Sequence, residues 1–117
     1  MPTKIIAAGA TMLLAAGCAS NPPLNTSSEL GAARTAIEQA ERQGAAEHAA
    51  VLLNDARKKL SKAETALDNR DYAIAQRYAE QATLDARLAE AKAESEDAQA
   101  AVAELNETID ALRNELE

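Results

Sequence analysis

Apolar residues recur along most of this chain at alternating spacings of three and four, the mark of a helix with one face turned to a core. Leu30, Ala33, Ile37 and Ala40 follow at 3, 4 and 3. They predict a first helix from about Thr26 to Gln43. Thr26-Ser27-Ser28-Glu29 reads as a capping box at its start. Gly44 reads as its stop, because glycine accepts the left-handed conformation at a helix end. Ala49, Leu53, Ala56, Leu60, Ala63 and Leu67 then repeat at 4-3-4-3-4 and predict a second helix from about Ala45 to Asp68. Asp55 and Lys59 stand four apart within it, acid first, the favourable order for a pair on one helix. The polar run Asp68-Asn69-Arg70-Asp71 predicts a tight turn, with Asp71 capping the next helix. Tyr72, Ala75, Ala79, Ala82, Ala86, Ala89 and Ala93 repeat at 3-4-3-4-3-4 and predict a third.

The second helix and the stretch Tyr72 to Ala93 have nearly equal expected lengths, ~35 Å each at 1.5 Å per residue. They are expected to pack as an antiparallel hairpin with the first helix alongside. No Gly or Pro occurs after Gly44, so nothing stops the third helix. From Ala98 a further seam of larger residues begins, at Val102, Leu105, Ile109, Leu112 and Leu116. It is out of phase with the alanines, since Ala93 and Val102 are nine residues apart. The expected fold is therefore all-α: a three-helix arrangement whose last helix extends as a coiled-coil-like tail over residues 94–117. Val102, Leu105, Ile109, Leu112 and Leu116 are the candidate association seam, for a homo-oligomer or for the helix of an envelope partner. β-Branched residues at one core position and leucine at the other favour parallel dimers. The alternative is that Ala98 to Leu116 folds back on its own bundle.

Composition thins this picture. Thirty of the 117 residues are Ala, Phe and Trp are absent, and Tyr72 and Tyr78 are the only aromatics. Alanine is the best helix former, but it buries little apolar area at ~25 cal/mol per Å2. The bundle should be only marginally stable alone, and association would offset this. The net charge is −7. Such a chain repels phosphate backbones, which argues against nucleic acid as a partner.

The first residues carry a different signal. Met1 to Lys4 holds one basic side chain, Ile5 to Leu14 is an apolar stretch broken by Gly9 and Thr11, and Leu14-Ala15-Ala16-Gly17-Cys18 follows. An apolar run of this length has the size of a signal-peptide core and falls short of the ~20 residues that span a bilayer. The one cysteine of the chain sits directly after small residues. Leu14 to Cys18 resembles the lipobox of bacterial lipoproteins, although the place three before the cysteine, usually Leu, is Ala15. The resemblance implies cleavage between Gly17 and Cys18 and a lipid on the Cys18 thiol. The alternative is a plain signal with an incidental cysteine, but a lone Cys has no disulfide partner within the chain, and lipidation gives the odd thiol a role. Each buried methylene of a lipid contributes ~0.8 kcal/mol, and bacterial lipoproteins carry three chains.

Lys4 is the only charged residue before Cys18, so cleavage leaves eleven bases against nineteen acids, a net of −8. The lipid rather than a basic patch would then hold the membrane. Cys18 is followed by Ala19-Ser20, with no Asp beside it. By analogy with lipoproteins of two-membrane cells, this implies the outer membrane, periplasmic face. Residues 1–17 are thus expected to be a removed signal, 18–25 a lipidated tether with Pro22 and Pro23, 26–93 the alanine-rich bundle, and 94–117 the extended helix. The tether reaches at most ~26 Å at ~3.3 Å per residue.

Catalytic chemistry finds little support. His48 is the only histidine, and with no second His and no free thiol it reads as a surface residue rather than a zinc ligand. The four glycines are isolated, so no phosphate-cradling loop is present. A narrow alanine core offers no pocket to perturb a carboxylate. Tyr72 and Tyr78 read as packing residues rather than a glycan platform. Acidic runs such as Glu94-Ser95-Glu96-Asp97 read as a solvated helix face. No catalytic residue, metal site, small-molecule substrate or cofactor is expected apart from the covalent lipid.

The run Ala56-Arg57-Lys58-Lys59-Leu60, with Ala63, Ala66-Leu67, Asp71-Tyr72, Ala75 and Ala79-Glu80-Gln81-Ala82, is similar to an uncharacterised alanine-rich family of short bacterial lipoproteins, the DUF4398-like family. Some of its members carry a peptidoglycan-binding domain after this module. More distantly the chain resembles alanine-zipper and murein lipoproteins. Those joined covalently to the wall use a carboxy-terminal lysine, and Asn114-Glu115-Leu116-Glu117 does not match this. The resemblance implies a cell-envelope setting and no activity. The expected role is a non-enzymatic structural spacer or self-associating helical protein. The alternative is an accessory adaptor of an envelope complex, monomeric alone.

Overall fold

The computed structural model describes residues 23–117. Four helices follow in order: α1 (Pro23–Arg42), α2 (Ala45–His48), α3 (Ala50–Asp68) and α4 (Tyr72–Leu116), with no strand among the described residues. Cross-links fix their directions. Arg34 on α1 binds Glu64 on α3 at 2.7 Å, and Arg57 on α3 reaches back to Glu41 near the end of α1, so these two helices are antiparallel. Lys59 meets Asp85 at 2.6 Å, and His48 approaches Asp97 at 3.3 Å, so the return from α3 to α4 is antiparallel too. Gln39 donates to Glu90 at 2.9 Å and Leu30 packs beside Ala75 to Ala82, which makes α1 and α4 parallel. The result is an up-down-up three-helix bundle, as expected from the hairpin with a first helix alongside.

The core follows the small-residue registers. Ala75, Ala79, Ala82, Ala86, Ala89 and Ala93 on α4 are fully buried, as are Ala33 and Ala40 on α1 and Ala56 and Ala63 on α3. A lower cluster gathers around Leu30 and an upper one around Ile37 and Leu53, with half-buried Leu60 packed against both. Among the described residues, Leu30 and Leu53 are the only large apolar side chains that are almost completely buried. Apart from the partly buried Lys59–Asp85 pair, the ion pairs on the bundle surface are exposed, and such pairs contribute at most about 1 kcal/mol each. Cohesion therefore comes from close helix approach over alanine.

Several local expectations need correction. α1 begins at Pro23, so residues 23–25, read from the sequence as tether, form its first turn. Proline suits that place: its missing amide would have had no helical partner, and its φ is preset. Thr26 is accordingly no cap. It lies inside α1, fully buried, with its hydroxyl unpartnered among the described residues. The expected second helix is broken at Ala49 (φ −142°, ψ 38°), leaving α2 as a single turn. Alanine has no propensity to break a helix, and nothing in its surroundings explains the break; the bonds from the Ala49 amide to the Ala45 carbonyl and from the Leu53 amide to the Ala49 carbonyl run on across it at 2.9 and 3.0 Å, and both alanines stay in the core. Lys59 pairs across the bundle with Asp85 rather than along its helix with Asp55. Asp71 occupies the cap position of α4, but its side chain makes no capping bond.

The two turns use one device with different residues. Gly44 ends α1 at φ 82°, and its carbonyl accepts the amides of Glu47 and His48 to start α2. At the end of α3, Arg70 takes the left-handed place at φ 61°. Its amide bonds the Leu67 carbonyl, and the Asp71 amide bonds that of Ala66 at 2.8 Å, a complete Schellman motif. An L-residue there costs roughly 1–2 kcal/mol. Arg70→Gly is expected to raise the unfolding free energy by about 1 kcal/mol, measured by urea denaturation; a loss of stability would contradict this assignment.

Candidate association surface

α4 has 45 residues, roughly 68 Å at 1.5 Å per residue. Its last buried residue is Ala93, and every residue from Glu94 onward is exposed. The helix thus outruns the bundle by a solitary tail of roughly 35 Å. The alternative in which Ala98 to Leu116 folds back is not the observed arrangement. The tail leaves from the end of the bundle that carries α2. The start of α1 and the Arg70 turn lie at the opposite end.

All five candidate seam residues lie on this tail. Val102, Leu105, Ile109, Leu112 and Leu116 are 46 to 87% exposed. Scattered exposed leucines are ordinary, whereas these five form one contiguous apolar line. Charge is divided just as sharply. Eight acids and one base stand between Glu94 and Glu117, while residues 1–93 balance eleven against eleven. The entire net charge therefore resides on the tail.

The sequence reading begins the seam at Ala98 and omits Leu84 and Leu88. Both are on the bundle part of α4, yet they are 64 and 56% exposed. Their spacing of four was the available signal, hidden beside the denser alanine register.

Gly17 and Cys18 lie outside the described residues. His48 is a surface residue at the top of the bundle beside Asp97. Among the described residues no cluster of His, Cys, Asp or Glu is arranged to hold a metal ion. Tyr78 lies half-buried under the Lys62 ammonium, 5.5 Å from its ring centre, and packs on the lower core cluster. Its contacts are those of a packing residue. The clefts are grooves between helices, such as the one walled by Arg34, Ile37, Arg57 and Glu64, where Arg34 pairs with Glu64 and Arg57 with Glu41. No helix among the described residues is long and apolar enough to cross a membrane.

No curated protein and no solved structure matches the chain. A family described as a domain of unknown function (DUF4398) matches residues 28–105, from the first turns of α1 through the bundle into the tail. That match spans more than half of the sequence, and the chain therefore belongs to the DUF4398 family.

Proposed function

We propose that this protein is a non-enzymatic envelope lipoprotein that self-associates through the tail of α4 and serves as a helical spacer. The observation that carries it is the solitary tail with its line of exposed aliphatic residues from Val102 to Leu116. Stable self-association also answers the thin alanine core, because a second helix would add the large apolar contacts that the bundle lacks.

The anchor in this reading is a lipid on Cys18, on the periplasmic face of the outer membrane. Its support is the run Leu14 to Cys18 and the absence of Asp beside the cysteine. Pro23 begins α1 five positions after Cys18, a span of at most ~18 Å. A lipid there would hold the Arg70 end of the bundle near the bilayer. Expression in a bacterium with an alkyne-bearing fatty acid should label the wild-type chain, and Cys18→Ser should remove the label and release the protein from the membrane fraction. Labelling that survives in the Cys18→Ser chain would contradict the anchor.

A further inference from the structure

We infer that the self-pairing surface runs on from the tail down the back of α4 to Leu84, and that two copies join along it in antiparallel register. This deepens the self-association proposed above and rests on it. Leu84, Leu88, Ala91, Ser95, Ala98, Val102, Leu105, Ile109, Leu112 and Leu116 alternate at 4 and 3 without a break. The core alanines of the same helix lie on the other side. Ala93 and Val102 are nine residues apart, a rotation of roughly 180° at about 100° per residue. The line therefore runs directly opposite the packed face, where neither α1 nor α3 reaches it. That is why Leu84 and Leu88 are more than half exposed within the bundle.

The β-branched and leucine positions of the tail taken alone favour a parallel pair, but the order of sizes along the whole line reverses that preference. Its first half holds Leu84 and Leu88 and then small residues at 91, 95 and 98; its second half is large throughout. In a parallel pair Ala91, Ser95 and Ala98 would each meet themselves, between layers of leucine and valine that hold the helices further apart. Interiors close-pack, and such gaps forfeit contact. Reversing one helix about the midpoint of the line removes the mismatch. Leu84 then meets Leu116 of the second copy, Leu88 meets Leu112, Ala91 meets Ile109, Ser95 meets Leu105 and Ala98 meets Val102. Each small residue faces a large one.

Charge points the same way. In the antiparallel register Arg87 flanks Glu115 of the second copy, and Asp85 flanks Arg113. Asp85 already accepts from Lys59 and retains acceptor capacity, while Arg113 is 3.8 Å from Asp110. A parallel register instead sets Arg87 against Lys92 of the second copy, like against like. Along the middle of the line the flanking residues Gln99, Ala101, Asn106 and Thr108 are uncharged. Acids such as Glu104, Glu107 and Asp110 fall on the outer side of the tail. Two acidic tails can thus lie against each other's bundles, and a basic partner helix would find no acids at the seam's edge there. The contact is isologous, the same patch on both copies, which closes as a dimer. Each bundle gains the other copy's tail as a fourth helix. The two starts of α4 then lie on the order of 80 Å apart at opposite ends of the dimer.

The test uses the full chain with Cys18→Ser, so that only introduced thiols react. Chains carrying Leu88→Cys and Leu112→Cys with different tags are mixed, and a short bis-maleimide is added. The expected result is a mixed 88–112 dimer in at least tenfold greater yield than 88–88 or 112–112 dimers. Predominant 112–112 cross-linking would overturn the antiparallel register while leaving self-association intact. No cross-linking at either position, with a monomeric mass, would overturn both.

Discussion

Leu53→Ala is expected to lower the unfolding free energy by about 4 kcal/mol, toward the upper end of leucine-to-alanine losses in cores. Leu53 is 1% exposed and sits in the upper cluster among Ala45, Ala49, Ala56, Ala86 and Ala89. The loss has two parts: the transfer energy of the removed carbons and the cavity left behind. The cavity shrinks only if neighbours move in, and the surrounding alanines have no rotamers with which to do so. Only Ile37 and the half-buried Leu52 and Leu60 can shift toward it without moving a helix. A domain of this kind has about 5–15 kcal/mol of stability in all, so the variant should show a large drop in urea midpoint with a little-changed slope. Urea denaturation of both chains measures it. A loss below about 1 kcal/mol would mean that the leucine is not the keystone among alanines that its burial implies.

The second large effect concerns assembly. Leu105→Asp together with Leu112→Asp should reduce the dimer to monomer, weakening association at least a hundredfold, or about 2.8 kcal/mol at 1.4 kcal/mol per tenfold. Both residues are more than half exposed in the isolated chain, so their replacement costs the monomer little. In the dimer the carboxylate at 105 would be buried opposite Ser95 and that at 112 opposite Leu88, and burying a charge against a small or apolar side chain is expensive. Every residue of the tail from Glu94 onward is exposed in the isolated chain, so helix content by circular dichroism should persist. Sedimentation velocity gives the answer. A dimer that survives both aspartates would remove the seam from the account.

How far the sequence reveals this molecule depends on which force decides each feature. The bundle was legible because helix period and core burial agree: every alanine of the register from Ala75 to Ala93 is buried. Helix ends were less so, because several residues are compatible with them. Thr26 reads as a start, yet the helix begins at Pro23, whose preset φ and missing amide suit a first turn, and Thr26 lies buried inside it. Arg70 fills a left-handed position without the glycine that normally announces it. The break at Ala49 has no local signal, since alanine is the strongest helix former. Lys59 had two acids within reach, and the bundle brought Asp85 closer than Asp55. The seam was legible where its residues are large, from Val102 on. Its continuation to Leu84 was masked by Ala91, Ser95 and Ala98, which look like helix filler until the solvent face of α4 is seen. The reading of Cys18 rests on sequence alone, and the labelling experiment addresses it.

Self-association is the claim on which the spacer role and the antiparallel register both depend. Sedimentation equilibrium of the full chain in mild detergent, over a wide concentration series, tests it most directly. The account predicts a mass of twice the 12.3 kDa chain, less any signal removed, dissociating to monomer only on dilution. A monomer at every concentration would contradict it and leave the tail of α4 as the docking helix of an adaptor.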